Sequence, residues 1–142
     1  MTYWVAVAGT GDRPLENDWR SRQAEWEGNP QDVHRSSVRP TIQVGDRLVM
    51  YAAGSPSRFG AGRFFAVREV VSGPTASKIG QWSWELAVRE IVSVPLLEQC
   101  PTVDKIGVEA RAVKGKSYIR LKNQAAGPLA EDLLKEALAH DS

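Results

Sequence analysis

Val44-Gly45-Asp46-Arg47-Leu48-Val49-Met50-Tyr51, with the run that follows it to Val70-Val71-Ser72-Gly73-Pro74, is the stretch whose reading decides the fold. Gly45-Asp46 is a turn dipeptide, and Arg47 to Ala52 is an apolar run of strand length. Ala53-Gly54-Ser55-Pro56-Ser57 interrupts it with turn-forming residues. Gly62 to Val71 resumes it, and Gly73-Pro74 is expected to end it. Two strands joined by a polar loop are therefore expected. The loop gathers Tyr51, Ser55, Arg58 and Phe59, a mixture suited to a flat, polar, anionic ligand.

Outward from that pair, Tyr3 to Ala8 reads as a β-branched and aromatic strand stopped by Gly9-Thr10-Gly11. Pro14 to Gly28 places Leu15, Trp19 and Trp26 at helical spacing and is expected to be a helix. Asn29 to Pro40 has no period and reads as loop. Trp82 to Val94 alternates as a long strand whose phase slips near Glu90-Ile91-Val92, the signature of a bulge. Lys116 to Lys122 is a last strand. Gly127-Pro128 opens a terminal helix over about 128–139, with Leu129, Leu133, Leu134, Ala137 and Leu138 as its apolar stripe. Five or six strands with helices around them predict one α+β domain over 1–142, a small, mostly antiparallel barrel.

Composition narrows the function classes. With 42% hydrophobic and 25% charged residues the chain is ordinary for a globular domain. Its single cysteine, Cys100, excludes an internal disulfide. The start of the chain lacks signal-peptide character, and no run approaches the ~20 apolar residues of a membrane span. A cytoplasmic protein without a membrane partner is expected. The net charge of +1 conceals segregation. Between His34 and Arg68 lie six arginines and one acid, Asp46, and Arg111 to Lys122 holds five cations and no acid. Such a distribution gives a neutral chain a basic face suited to phosphates. The bland reading of the same residues is solvated strand edges guarded by cations.

Catalytic signatures are missing from the sequence. Cys100 and the two histidines, His34 and His140, carry no nucleophile–base motif. No cluster has metal-ligand spacing, so neither a metal nor a cofactor is expected. Gly9-Thr10-Gly11-Asp12 lacks the endings of a phosphate loop or a dinucleotide fingerprint.

The aromatic residues point elsewhere. Of five tryptophans, Trp4 and Trp84 sit in strand patterns and are expected in the core. Trp19, Trp26, Trp82, Tyr51 and Phe59 offer stacking surfaces for a nucleobase, and Ser36, Ser37, Ser55 and Gln81 offer groups for its edge. Arg35, Arg39, Arg58 and Arg63 are placed to hold flanking phosphates.

The order of the Tyr3-Trp4-Val5-Ala6-Val7 strand, the helical insert, Val44 to Tyr51 and Gly62 to Pro74 resembles the EVE domain, a PUA-like family related to YTH and ASCH domains. Gly115-Lys116-Ser117-Tyr118-Ile119-Arg120-Leu121 is similar to a late strand of that family. The resemblance implies a PUA-like barrel and noncatalytic binding of a modified base in DNA or RNA, held in an aromatic-lined pocket. Mapped by position, that pocket would draw on Trp19 or Trp26, on Ser36-Ser37, on Tyr51, Ala53, Gly54 and Ser55, and on Trp82. Two other classes remain open: a binder of, or enzyme acting on, a free nucleotide or similar anion, and an interaction module using the Trp19/Trp26 face.

Overall fold

The computed structural model describes residues 1–9, 14–22, 33–36, 39–76 and 83–140, with the side chains of 21, 22 and 35 excepted. Its centre is one curled, mixed half-barrel sheet of six strands: β1 (Tyr3–Ala8), β2 (Val33–Ser36), β3 (Arg47–Ala52), β4 (Phe64–Ala76), β5 (Trp84–Ser93) and β6 (Tyr118–Arg120). The spatial order is β2-β5-β4-β3-β1-β6. The α+β barrel-like class is as expected. Most ladders are antiparallel, but β1 pairs with β3 in parallel, Val5 opposite Val49. A parallel pair needs a crossover, which the segment between β1 and β3 provides.

Helices surround the sheet: α1 (Trp19–Arg22), α2 (Ser55–Phe59), α3 (Ala110–Val113) and α4 (Ala126–His140). Several boundaries differ from expectation for physical reasons. The helix expected over 14–28 is seen as α1 alone, with 23–28 outside the described residues. The 29–40 segment, read as loop, contains β2, because antiparallel pairing with β5 supplies what its weak pattern did not announce. The 53–57 turn contains most of the five-residue α2, opened by Gly54 with φ +78 and by a proline in its first turn. Gly73-Pro74, a cis peptide, lies inside β4 rather than ending it. β4 continues past it because β5 goes on pairing through shifts of register. One such shift leaves Ile91 unpaired between Val92 and Glu90, where the phase slip was expected.

Gly45-Asp46-Arg47 ties the sheet together. Gly45 takes φ +92, and its N–H donates to Val70 O at 2.9 Å. The buried Asp46 carboxylate accepts from the Thr2 N–H (2.9 Å), the Trp4 indole N–H (2.9 Å) and the Gln43 N–H (3.0 Å). Arg47 lies opposite Tyr3 on one side and Glu69 on the other, and Glu69 lies opposite Arg89. From α4, Glu131 closes this row, bonded to Arg47 at 2.7 Å and to the Tyr3 hydroxyl. The row thus spans four strands, and the terminal helix is bonded directly to two of them, β1 and β3.

Burial works against the Asp46 charge, yet the Gln43, Trp4 and Thr2 donors outweigh it and hold the carboxyl below the usual range. A group depressed in the folded state contributes stability above its unfolded pKa, near 4, and loses it as pH falls through the folded value. Asp46→Asn should therefore lower stability at neutral pH and flatten the acid limb of the stability–pH curve, read by urea unfolding. An unchanged limb would remove Asp46 from this role.

Candidate nucleic-acid interface

The expected loop site at 51–63 assembles, but its polar groups are largely spent on the fold. Ser55 Oγ donates to Ala52 O at 2.7 Å and accepts from the Arg63 N–H at 2.9 Å. The buried Tyr51 hydroxyl sits beside Ser55; burial raises its pKa while the Ser55 bond opposes this. Ala53 is buried, and its N–H donates to Ala8 O. At Gly54 a Cβ would stand 2.6 Å from the Pro14 Cβ. Arg63 donates to the carbonyls of Glu98 (2.9 Å) and Cys100 (2.8 Å), fastening the 3-10 turn Leu97–Gln99 to the sheet. Arg58 is exposed and donates to Leu15 O at 2.6 Å; with Arg63 it flanks the Phe59 ring. Expected as pocket wall and phosphate contact, Ser55 and Arg63 are instead internal braces, because buried polar groups must find partners.

Trp19 is a second correction. It is 0% exposed, packs on Phe65 with ring centroids 4.6 Å apart, and its indole N–H donates to Val94 O at 2.9 Å. Neither face is left for a base arriving from solvent. Trp26, Ser37 and Trp82 lie outside the described residues, as does the side chain of Arg35. No aromatic-walled pocket occurs among the described residues.

The two tryptophans expected in the core are half-buried at the surface. Arg39 is exposed, and its guanidinium lies 5.0 Å from the centroid of Trp84, which pairs with Ser36 in the β2–β5 ladder. The Arg39 carbonyl and Thr41 N–H meet the Tyr118 hydroxyl of β6 at 3.5 and 3.4 Å. Tyr118 in turn contacts Trp4 edge-on at 5.6 Å. The sheet curls so far that residues 39–41 bridge its two outer regions. Along this seam run Trp84, Arg39, Tyr118 and Trp4 in sequence.

The seam borders a basic edge. Lys114, Lys116, Arg120 and Lys122 are all exposed, and none forms an ion pair with another described residue. Arg111 differs, being held by Glu109 at 2.6 Å. Arg120 pairs with Trp4 in the β1–β6 ladder, so cation and aromatic surfaces adjoin. The sequence signal for this edge was the acid-free run 111–122; the seam left no signal, since Arg39, Trp84 and Tyr118 are far apart in the chain.

A polar group of another kind lies inside. His34 (4% exposed) and Ser36 (0%) share the inward face of β2, two residues apart. Arg68, 2% exposed, lies close to His34, and a bulge in β4 brings Phe65 to 5.7 Å from its guanidinium. His34 Nε2 has no hydrogen-bond partner, a condition that costs on the order of 1–3 kcal/mol. Burial first, and the Arg68 charge second, push its pKa down to about 4. A histidine depressed in this way is protonated in the unfolded chain before the folded one. Protonation thus takes nothing from stability above about pH 6.5, and stability falls between about 6.5 and 4, by on the order of 3 kcal/mol in all. His34→Leu should abolish that part of the slope, seen as wild-type and variant unfolding curves that converge less at pH 4.5 than at 7.5. Parallel curves at the two pH values would contradict the burial of a neutral imidazole.

Cys100 and His140 line one groove of about 440 Å³, between α4 and the 99–105 segment. The thiol is not poised for attack there: burial pushes it up to about 12 despite the nearby Arg63 charge, and it points at Leu96 O at 3.3 Å. No group of three or more potential metal ligands occurs among the described residues. No described helix is long and apolar enough to cross a membrane.

No protein-family model and no curated protein matches the chain. Among solved structures it is similar to protein Atu2648 from Agrobacterium tumefaciens, with a TM-score of 0.52 and 12% identity over 93% of this chain and 92% of that one. At such identity the likeness establishes a shared fold.

Proposed function

We propose that this chain is an EVE-like, noncatalytic nucleic-acid-binding module that recognises a base, in the favoured case a modified one, in DNA or RNA. The observation that carries the reading is the row of four exposed, unpaired cations beside the Trp84–Arg39–Tyr118–Trp4 seam. Cations without acidic partners are free to displace counterions from phosphates, and half-exposed aromatics give every base a stacking surface. Arg39 serves both, as a guanidinium already stacked and still open to solvent.

The test is titration of a labelled single-stranded oligonucleotide at several salt concentrations. Affinity should fall linearly in log–log form with salt, and tryptophan emission should be quenched on binding. Saturable binding of a free mononucleotide with little salt dependence would favour the small-molecule reading instead. No binding of either, with a mass that rises with protein concentration, would favour an interaction module.

A further inference from the structure

Among the described tryptophans, Trp84 alone stands apart from the core: Trp19 lies within it and Trp4 packs against it. Alternation along β5 gives Trp84 the inward face of Leu86 and Val88, opposite the buried Ser36. As the first residue of the strand it is left half-buried. The Arg39 guanidinium lies over its ring, 5.0 Å from the centroid. Arg39 is exposed, and its side chain has no acid or carbonyl partner among the described residues. Its backbone, by contrast, is tied down: the carbonyl accepts from the Tyr118 hydroxyl at 3.5 Å, and the buried Pro40 comes next in the chain. A free planar cation is thus held at one place, over one face of an aromatic ring.

We propose that Arg39 is a placeholder for a nucleobase: an unpaired base of a single strand displaces it from Trp84, and the released guanidinium pairs with the phosphate flanking that base. The inference rests on the nucleic-acid reading above and deepens it by naming the ligand as a single strand. A guanidinium is flat and rigid, so it occupies the layer over the ring that a base would take. The exchange runs toward the base, because an exposed cation–π contact is weaker than a base stacked on an aromatic ring. The arginine loses little by it, since a phosphate gives it charge-assisted, bidentate hydrogen bonds in place of the ring. A duplex cannot make this exchange without cost: its bases are already stacked and paired, and one must first be turned out. The room for the base is the room Arg39 vacates, which an exposed side chain does without disturbing the core.

Three DNA probes of equal length test this: a single strand of oligo(dT), the same backbone without bases, and the oligo(dT)·oligo(dA) duplex. Oligo(dT) should bind about tenfold more tightly than the base-free strand, the size of one base–aromatic stack. It should also bind more tightly than the duplex, and quench tryptophan emission as the base-free strand does not. In Trp84→Leu the preference over the base-free strand should vanish while the salt dependence keeps its slope. In Arg39→Gln all three probes should bind more weakly and the slope should fall by about one. The preference for oligo(dT) should persist there, because the ring is then uncovered. Were Arg39 itself the surface on which a base stacks, the glutamine variant would lose that preference. Arg39 is exposed, so this variant decides the matter even if Trp84→Leu fails to fold. Equal binding of oligo(dT) and the base-free strand, or a duplex bound as tightly as oligo(dT), would overturn the exchange and leave the general reading standing. So would a preference lost in Arg39→Gln or kept in Trp84→Leu. No binding of any probe would overturn both.

Discussion

Trp19→Ala should unfold this protein more readily by about 3–5 kcal/mol, among the largest effects of any single side-chain truncation in the chain. The indole is wholly buried, meets Phe65 at 4.6 Å and bonds Val94 O at 2.9 Å. Its removal leaves a large cavity and a Val94 carbonyl held only by the weak Cys100 thiol contact at 3.9 Å, two costs that add. The loss would be read from the midpoint of urea unfolding, with unchanged slope. Trp19→Phe should cost less, because most of the volume stays and only the N–H is lost. An alanine variant of normal stability that failed to bind nucleic acid would restore Trp19 to the role of stacking wall.

Replacing Lys114, Lys116, Arg120 and Lys122 together by glutamine should weaken oligonucleotide binding at low salt by roughly a hundredfold or more. The salt dependence should flatten by about one unit of slope for each phosphate contact removed. Stability should hardly move, since exposed, unpaired side chains rarely contribute more than about 0.5 kcal/mol. Arg111→Gln supplies the internal comparison, because its charge is already neutralised by Glu109 at 2.6 Å and its loss should matter least. An unchanged slope in the quadruple variant would place the phosphates elsewhere, and Arg39 and Arg58 would be the next cations to test.

Both predictions depend on placements that could be read only in part from the chain. β1 and β3 were legible to the residue, because alternation, β-branched residues and bounding glycines all agreed. The bulge in β5 was legible as a slip in phase. β2 was not: a four-residue strand of valine, histidine, arginine and serine has no pattern of its own, and β5 dictates its conformation. The terminal helix was found, and its expected stripe is the buried face in part: Leu134 is buried, and Leu133 and Ala137 pack on the core. Leu129 and Leu138 are exposed, whereas Ala130, Glu131 and Leu134 are buried, because the Glu131 bond to Arg47 and Tyr3 sets the rotation of the helix.

The candidate site divides along the same line. That cations cluster at 111–122 follows from the order of residues alone. That Ser55 and Arg63 are braces follows from which carbonyls lie within reach, and these come from residues 52 and 97–100.

Gly45-Asp46-Arg47 states the matter in one motif. By itself the sequence determined a turn followed by a strand and a segregated positive charge, since both depend on local conformation and composition. Only the tertiary structure decided what the charged members do: Asp46 gathers donors from residues 2, 4 and 43, and Arg47 reaches Glu131 across the fold. Hydrogen bonds and ion pairs need contact within a few ångströms, and in a curled sheet contact is made by strand order rather than by sequence. The same holds for the seam of Arg39, Trp84 and Tyr118, which exists only because the sheet bends its two outer regions together.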